Sequence, residues 1–237
     1  PTVQLIACGN SYDLISPATG QALGAELPGP GEVAAEGDDW HRALAAGEPR
    51  PDLLALHALP MSGRGLERCT DEEAYYALMS HTVAWEEVLL PALEERLRAW
   101  AGRPVPLAVT EWGILGGPAR RPRVENAGGA LYAALFLHSG IRLGERRALA
   151  NARALLHGGC LRRVGGRVYA DVQMWVLGMY RGLAGSQPLS CSVEVGGYGV
   201  GPGRDVAPWP EMGCPVERVP WVDAIACLLP GEAGAAG

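Results

Sequence analysis

Leu107-Ala108-Val109-Thr110-Glu111-Trp112-Gly113 is an apolar run that ends on a carboxylate, an aromatic ring and a glycine. A short apolar run of this kind suits a strand buried on both faces, as in a parallel sheet. Residues 3–7, closed by Gly9, have the same form. So has Leu53-Leu54-Ala55-Leu56-His57, stopped at Pro60, and residues 147–157 contain a fourth buried segment, ending at Gly158-Gly159. Helical stretches lie between and after these runs. Asp38-Asp39-Trp40 can open a short helix. Thr70-Asp71-Glu72-Glu73 has the form of a capping box, heading a helix to about residue 100 with a break expected near Pro91. Residues 126–143 form the clearest helix, and residues 169–183 read as another.

Four strand-then-helix units therefore occupy residues 1–185, and such alternation implies a parallel sheet covered by helices. A doubly wound sheet and part of a TIM barrel both fit. A whole barrel needs eight units in about 250 residues, so four units make half of one. After Gly185 the texture changes. Ser190-Cys191-Ser192-Val193-Glu194-Val195 alternates at period two, and Gly and Pro become frequent. Residues 186–237 are expected to be antiparallel β structure outside the α/β part.

Composition narrows the function. The chain has 237 residues, 48 % of them hydrophobic and 19 % charged, which suits a folded globular protein. Its net charge is −6, and every basic residue is Arg. An acidic chain without a basic stripe argues against a nucleic-acid partner, and Arg120-Arg121-Pro122-Arg123 reads as solvated loop charge. The apolar runs are too short to span a membrane. Pro1-Thr2-Val3-Gln4-Leu5-Ile6 has neither an initiator Met nor a basic region before an apolar run, so it reads as an internal start rather than a signal peptide. The six cysteines, Cys8, Cys69, Cys160, Cys191, Cys214 and Cys227, form no C-x-x-C pair. They are expected to be reduced thiols, without structural zinc.

Chemistry concentrates at the strand ends. In a barrel the C-terminal ends of the strands form the active-site face. A carboxylate there, as at Glu111, can attack an anomeric carbon and hold a glycosyl ester. The alternative for Glu111 is a buried Glu paired with an Arg. His57 ends the preceding strand; alone it reads as a core histidine, but two successive strand ends carrying His and Glu would face one mouth.

Taken in order, Ala108-Val109-Thr110-Glu111-Trp112, Asn126-Ala127-Gly128-Gly129-Ala130-Leu131-Tyr132-Ala133-Ala134-Leu135-Phe136-Leu137, Leu149-Ala150-Asn151, Met174-Trp175-Val176-Leu177-Gly178-Met179-Tyr180-Arg181 and Val219-Pro220-Trp221-Val222-Asp223-Ala224 resemble the C-terminal part of family 51 α-L-arabinofuranosidases. The likeness is collinear over residues 1–229. It implies that residues 1–185 are the second half of a (β/α)8 catalytic barrel, strands five to eight, with the eighth following Ala150-Asn151. Residues 186–237 would be a partial β-sandwich segment. By the same resemblance Glu111 is the nucleophile of a retaining mechanism, and His57 and Trp112 lie at the sugar. The implied partner is an arabinose-containing oligosaccharide or polysaccharide, with no metal or organic cofactor. A homo-oligomer in the cytoplasm is also implied.

The chain departs from the family pattern at four points. The family usually has a Tyr two positions after the His, hydrogen-bonded to the nucleophile; this chain has Leu59. The residue before Glu111 is Thr110 where Asp is common. A sugar-binding Gln before the last helix has no sure counterpart, and Asp171 or Gln173 lies nearest. The acid/base Glu of the family's Asn-Glu pair is absent, because the chain has no Asn-Glu dipeptide. That group would come from an N-terminal half of the barrel, without which this chain alone would be inactive. Two other readings are a different glycosidase of the same clan, such as a β-xylosidase, and a degenerate, non-catalytic sugar-binding or assembly protein.

Overall fold

The computed structural model describes residues 4–9, 36–59, 70–114, 126–153, 155–156, 160–200, 204–206 and 216–230. Arg120-Arg121-Pro122-Arg123, Cys69 and Cys214 lie outside the described residues. Four parallel strands stand in chain order: β1 (Ile6–Cys8), β2 (Leu53–Ala58), β3 (Leu107–Trp112) and β4 (Arg147–Ala152). Helix α1 (Glu36–Ala46) links β1 to β2. Between β2 and β3 run α2 (Asp71–Ala84), a π-helical segment (Trp85–Leu89) and α3 (Leu90–Ala101). Helix α4 (Ala127–Leu143) precedes β4. The expected order of strands and helices holds, and Ala150-Asn151 lie within the fourth strand rather than ahead of it.

Local chemistry fixes the helix ends. Thr70 accepts from the Glu73 amide at 3.2 Å, and the Glu73 carboxylate accepts from the Thr70 amide at 2.8 Å, a complete capping box. The side chain of Asn126 accepts from the Gly129 amide to start α4. Gly102 ends α3 at φ 68°, where its N–H reaches the Arg98 carbonyl. No break occurs at Pro91. The bonding widens instead over Trp85–Leu89, where the Leu90 N–H donates to the Trp85 carbonyl. A wider turn accommodates a proline that has no N–H and whose ring would crowd the carbonyl four residues back.

The core lies on one face of the sheet. Leu54, Leu56 and Ala58 of β2 and Leu107, Val109 and Trp112 of β3 pack there against Leu78, Trp85, Leu89, Leu93, Leu97, Tyr132 and Phe136 of the helices. β4 is less covered than expected, with Leu149 exposed.

Two expectations for the C-terminal third are corrected. Residues 169–170 are not helical. They belong to an antiparallel hairpin of β5 (Leu161–Val164) and β6 (Arg167–Ala170). The two residues between the strands, Gly165 and Gly166, take φ 55° and 80°, the backbone that a two-residue hairpin turn requires and glycine adopts freely. Asp171 then caps α5 (Val172–Tyr180) through the Val172 amide. Antiparallel β structure does follow residue 186, but the alternating stretch 190–195 is not the strand. Its backbone is irregular, and pairing falls on either side. β7 (Gln187–Leu189) pairs with β10 (Ala226–Leu228), and β8 (Gly197–Val200) with β9 (Val216–Pro220). This segment packs on the helices through Tyr198, whose ring meets Tyr76 at 4.8 Å and Trp221 at 4.7 Å. Asp223 lies 2.7 Å from Nδ1 of His138, and its carboxylate accepts from Arg142 at 2.9 Å. No described helix is long and apolar enough to cross a membrane. Cys8, Cys160, Cys191 and Cys227 are free thiols.

Candidate active site at the strand ends

A one-residue slip in the sheet builds the site. Leu56 pairs with Val109, but His57 pairs with Glu111, so Thr110 is an extra residue on β3. Its hydroxyl donates to the Leu56 carbonyl at 3.3 Å. In a regular strand Glu111 would share the helix-covered face with Leu107 and Val109. The bulge turns it to the opposite, open face, alongside His57. The two side chains are 41 % and 43 % exposed, and Nδ1 of His57 lies 3.9 Å from Oε2 of Glu111.

The same slip buries Trp112. Its indole, expected at the sugar, is 1 % exposed and stacks on Phe136 with centroids 4.8 Å apart. Trp112 is a core residue that locks the end of β3 to α4.

Arg153 completes the cluster from the end of β4. Its Nε donates to Oε2 of Glu111 at 3.1 Å, and its backbone N–H donates to the Trp112 carbonyl at 2.8 Å. Gly113 sits between them at φ 141°, its own N–H donating to the Ala58 carbonyl at 3.3 Å. A side chain on Gly113 would stand 3.4 Å from the Arg153 carbonyl oxygen, in a backbone conformation other residues rarely adopt. Sequence reasoning passed over Arg153, although it is the first charged residue after the fourth strand's run, as Glu111 is after the third's.

Gln173, on the first turn of α5, is fully buried close to Gly113, and neither amide atom has a hydrogen-bond partner among the described residues. Asp171 is instead engaged as the α5 cap and with Arg162 at 3.3 Å. Leu59 follows β2, so position 59 brings no hydroxyl toward Glu111. Among the described residues no three His, Cys, Asp or Glu side chains gather as metal ligands would. A cavity of about 290 Å³ lies elsewhere, between Thr82, Glu86, Arg142, Val219 and Asp223. Arg142 is already shared between two of its carboxylates, donating to Glu86 at 2.7 and 2.8 Å and to Asp223, and Glu87 lines it as well.

The arrangement offers a half-exposed carboxylate at a strand end, flanked by an imidazole and a guanidinium on one of its two oxygens. A carboxylate so placed can act as a nucleophile or stabilise developing positive charge, and no second carboxyl group among the described residues is shown beside it.

No family model matches the chain, and no curated protein matches it. Solved structures do. The GH51 arabinofuranosidase from Xanthomonas axonopodis pv. citri superposes with a TM-score of 0.61 at 19 % identity, over 87 % of this chain and 41 % of that one. The thermostable GH51 α-L-arabinofuranosidase from Thermotoga petrophila RKU-1 gives 0.55 at 15 % identity, over 81 % of this chain and 38 % of that one. The α-L-arabinofuranosidase from Thermotoga maritima, solved with arabinose, gives 0.53 at 15 %, over 81 % and 38 %. This chain thus has the fold of GH51 arabinofuranosidases over about two fifths of their length, the share that a C-terminal part of such a protein would cover.

Proposed function

We propose that this chain is the nucleophile-bearing part of a retaining α-L-arabinofuranosidase that releases terminal arabinofuranose from hemicellulose-type oligosaccharides. The observation that carries the reading is the position of Glu111: a half-exposed carboxylate at the C-terminal end of a parallel strand, opposite His57, in a fold shared with GH51 arabinofuranosidases. In this reading the four parallel strands are half of a (β/α)8 barrel, and residues 186–237 are part of a β-sandwich. A Glu111 carboxylate oxygen bonds to the anomeric carbon as the glycosidic bond breaks. A second carboxyl group, from an N-terminal half of the barrel, protonates the departing oxygen and then activates the water that cleaves the ester. That group must stand about 5–5.5 Å from Glu111. His57 contacts the sugar, and neither metal nor organic cofactor takes part. Assembly into a homo-oligomer in the cytoplasm belongs to the same reading.

Leu59 favours a second reading, a degenerate relative that binds sugar without cleaving it. One experiment separates the two. Hydrolysis of p-nitrophenyl α-L-arabinofuranoside is followed for this chain alone and for the chain joined to the N-terminal half, each beside Glu111→Gln. The enzyme reading expects activity only in the joined protein and its loss in the Gln variant. Tight arabinose binding without turnover in the joined protein supports the degenerate one.

A further inference from the structure

Glu111 is held asymmetrically. Both contacts described for it, Nε of Arg153 at 3.1 Å and Nδ1 of His57 at 3.9 Å, fall on Oε2, and neither reaches Oε1. Arg153 is itself anchored. Its backbone N–H is bonded to the carbonyl of Trp112, whose indole is locked in the core, and its main chain lies against Gly113, where there is no Cβ.

The pair makes little sense as a stabilising bridge. Arg153 and Glu111 are 36 % and 41 % exposed and meet through Nε. A single-contact, solvent-accessible pair of this kind adds little to folding. What it does set is direction. A carboxylate with one oxygen tied down can rotate only about that bond, so its other oxygen points along a restricted path. Arg162, the next arginine described along the chain, is paired with Asp171 instead, so each guanidinium has its own carboxylate.

We propose that Arg153 is a positioning residue: it fixes Oε2 of Glu111 so that Oε1 is the oxygen presented to the anomeric carbon. This rests on the nucleophile assignment above. It also accounts for how a site with Leu59 can orient its carboxylate, since the donor comes from the end of β4 rather than from β2.

The test uses the chain joined to the N-terminal half of the barrel, with Arg153→Ala, Arg153→Lys and Glu111→Gln. Orientation acts on the chemical step and not on sugar binding. Arg153→Ala is therefore expected to lower kcat about 10- to 100-fold with KM within about threefold. Arg153→Lys, which keeps the charge but loses the planar donor, should fall between, and added guanidinium should restore part of the Ala variant's rate. Should Arg153→Ala not fold, Arg153→Lys carries the test: a drop in kcat at unchanged KM supports positioning. An Ala or Lys variant at the wild-type rate overturns the inference, as does one that raises KM at unchanged kcat. Activity retained in Glu111→Gln would instead overturn the nucleophile assignment, which separates the two failures.

Discussion

His81 gives the fold a pH dependence whose size follows from its surroundings. It lies between α2 and α4 at 4 % exposure, its Nδ1 3.4 Å from the Tyr132 hydroxyl and its ring stacked on Trp85. Nε2 has no partner among the described residues. Burial penalises the imidazolium and takes the ring from 6.5 down to about 3. Below pH 6.5 the unfolded chain binds a proton that the folded chain refuses. The stability contributed by neutral His81 is therefore complete above pH 6.5 and is lost progressively as the pH falls toward 3. At about pH 5.5 the loss is about 1.4 kcal/mol, since one pH unit of unshared titration is worth about 1.36 kcal/mol. The assay is urea unfolding followed by tryptophan fluorescence at pH 7.5 and 5.5, for the wild type and His81→Phe. The wild type should lose about 1.4 kcal/mol more than the variant between the two pH values, whatever the variant's absolute stability. Equal losses would show that His81 accepts its proton in the folded state, and would refute the reasoning.

Phe136 stacks on Trp112 and is fully buried among the helices, so Phe136→Ala should cost about 3–5 kcal/mol in denaturant unfolding. Asp223 ties the C-terminal β segment to α4. Burial pushes its carboxyl up, but the His138 hydrogen bond and the Arg142 charge outweigh that and hold it below its usual 3.8. Its contribution is thus present above the ordinary carboxylate range and lost as acid passes through the lowered value. Asp223→Asn should cost about 1–3 kcal/mol and speed hydrogen exchange in β9 and β10 before the sheet. Among the described residues β1 and β4 each have one paired side, and Ile6 is 48 % and Leu149 38 % exposed. This chain alone should associate in sedimentation runs, and a clean monomer with a sharp two-state melt would contradict that.

The sequence made the framework legible where the physics is local. Apolar runs punctuated by Gly and Pro marked the parallel strands, and Thr70 with Glu73 marked a helix start to the residue. The strand-end rule put Glu111 and His57 at one mouth, and their side chains do lie together, 3.9 Å apart. What it could not supply was the bulge at Thr110. Simple alternation places Glu111 with Leu107 and Val109 and Trp112 on the other face; one extra residue exchanges them, so Trp112 is core rather than a sugar platform. The hairpin at Gly165-Gly166 was readable from its turn residues but was overridden by the apolar periodicity that follows it. Arg153 was hidden because its role depends on β4 lying beside β3, a tertiary fact.

The most direct test of the central claim is covalent trapping. The chain joined to the N-terminal half is incubated with 2,4-dinitrophenyl 2-deoxy-2-fluoro-α-L-arabinofuranoside, whose leaving group departs without protonation, and the labelled peptide is mapped by mass spectrometry. One arabinofuranosyl adduct on Glu111, competed by arabinose and absent from Glu111→Gln, is the predicted result. An adduct on a different carboxylate, or none while the same protein hydrolyses arabinofuranosides, would contradict the assignment of Glu111 as the nucleophile.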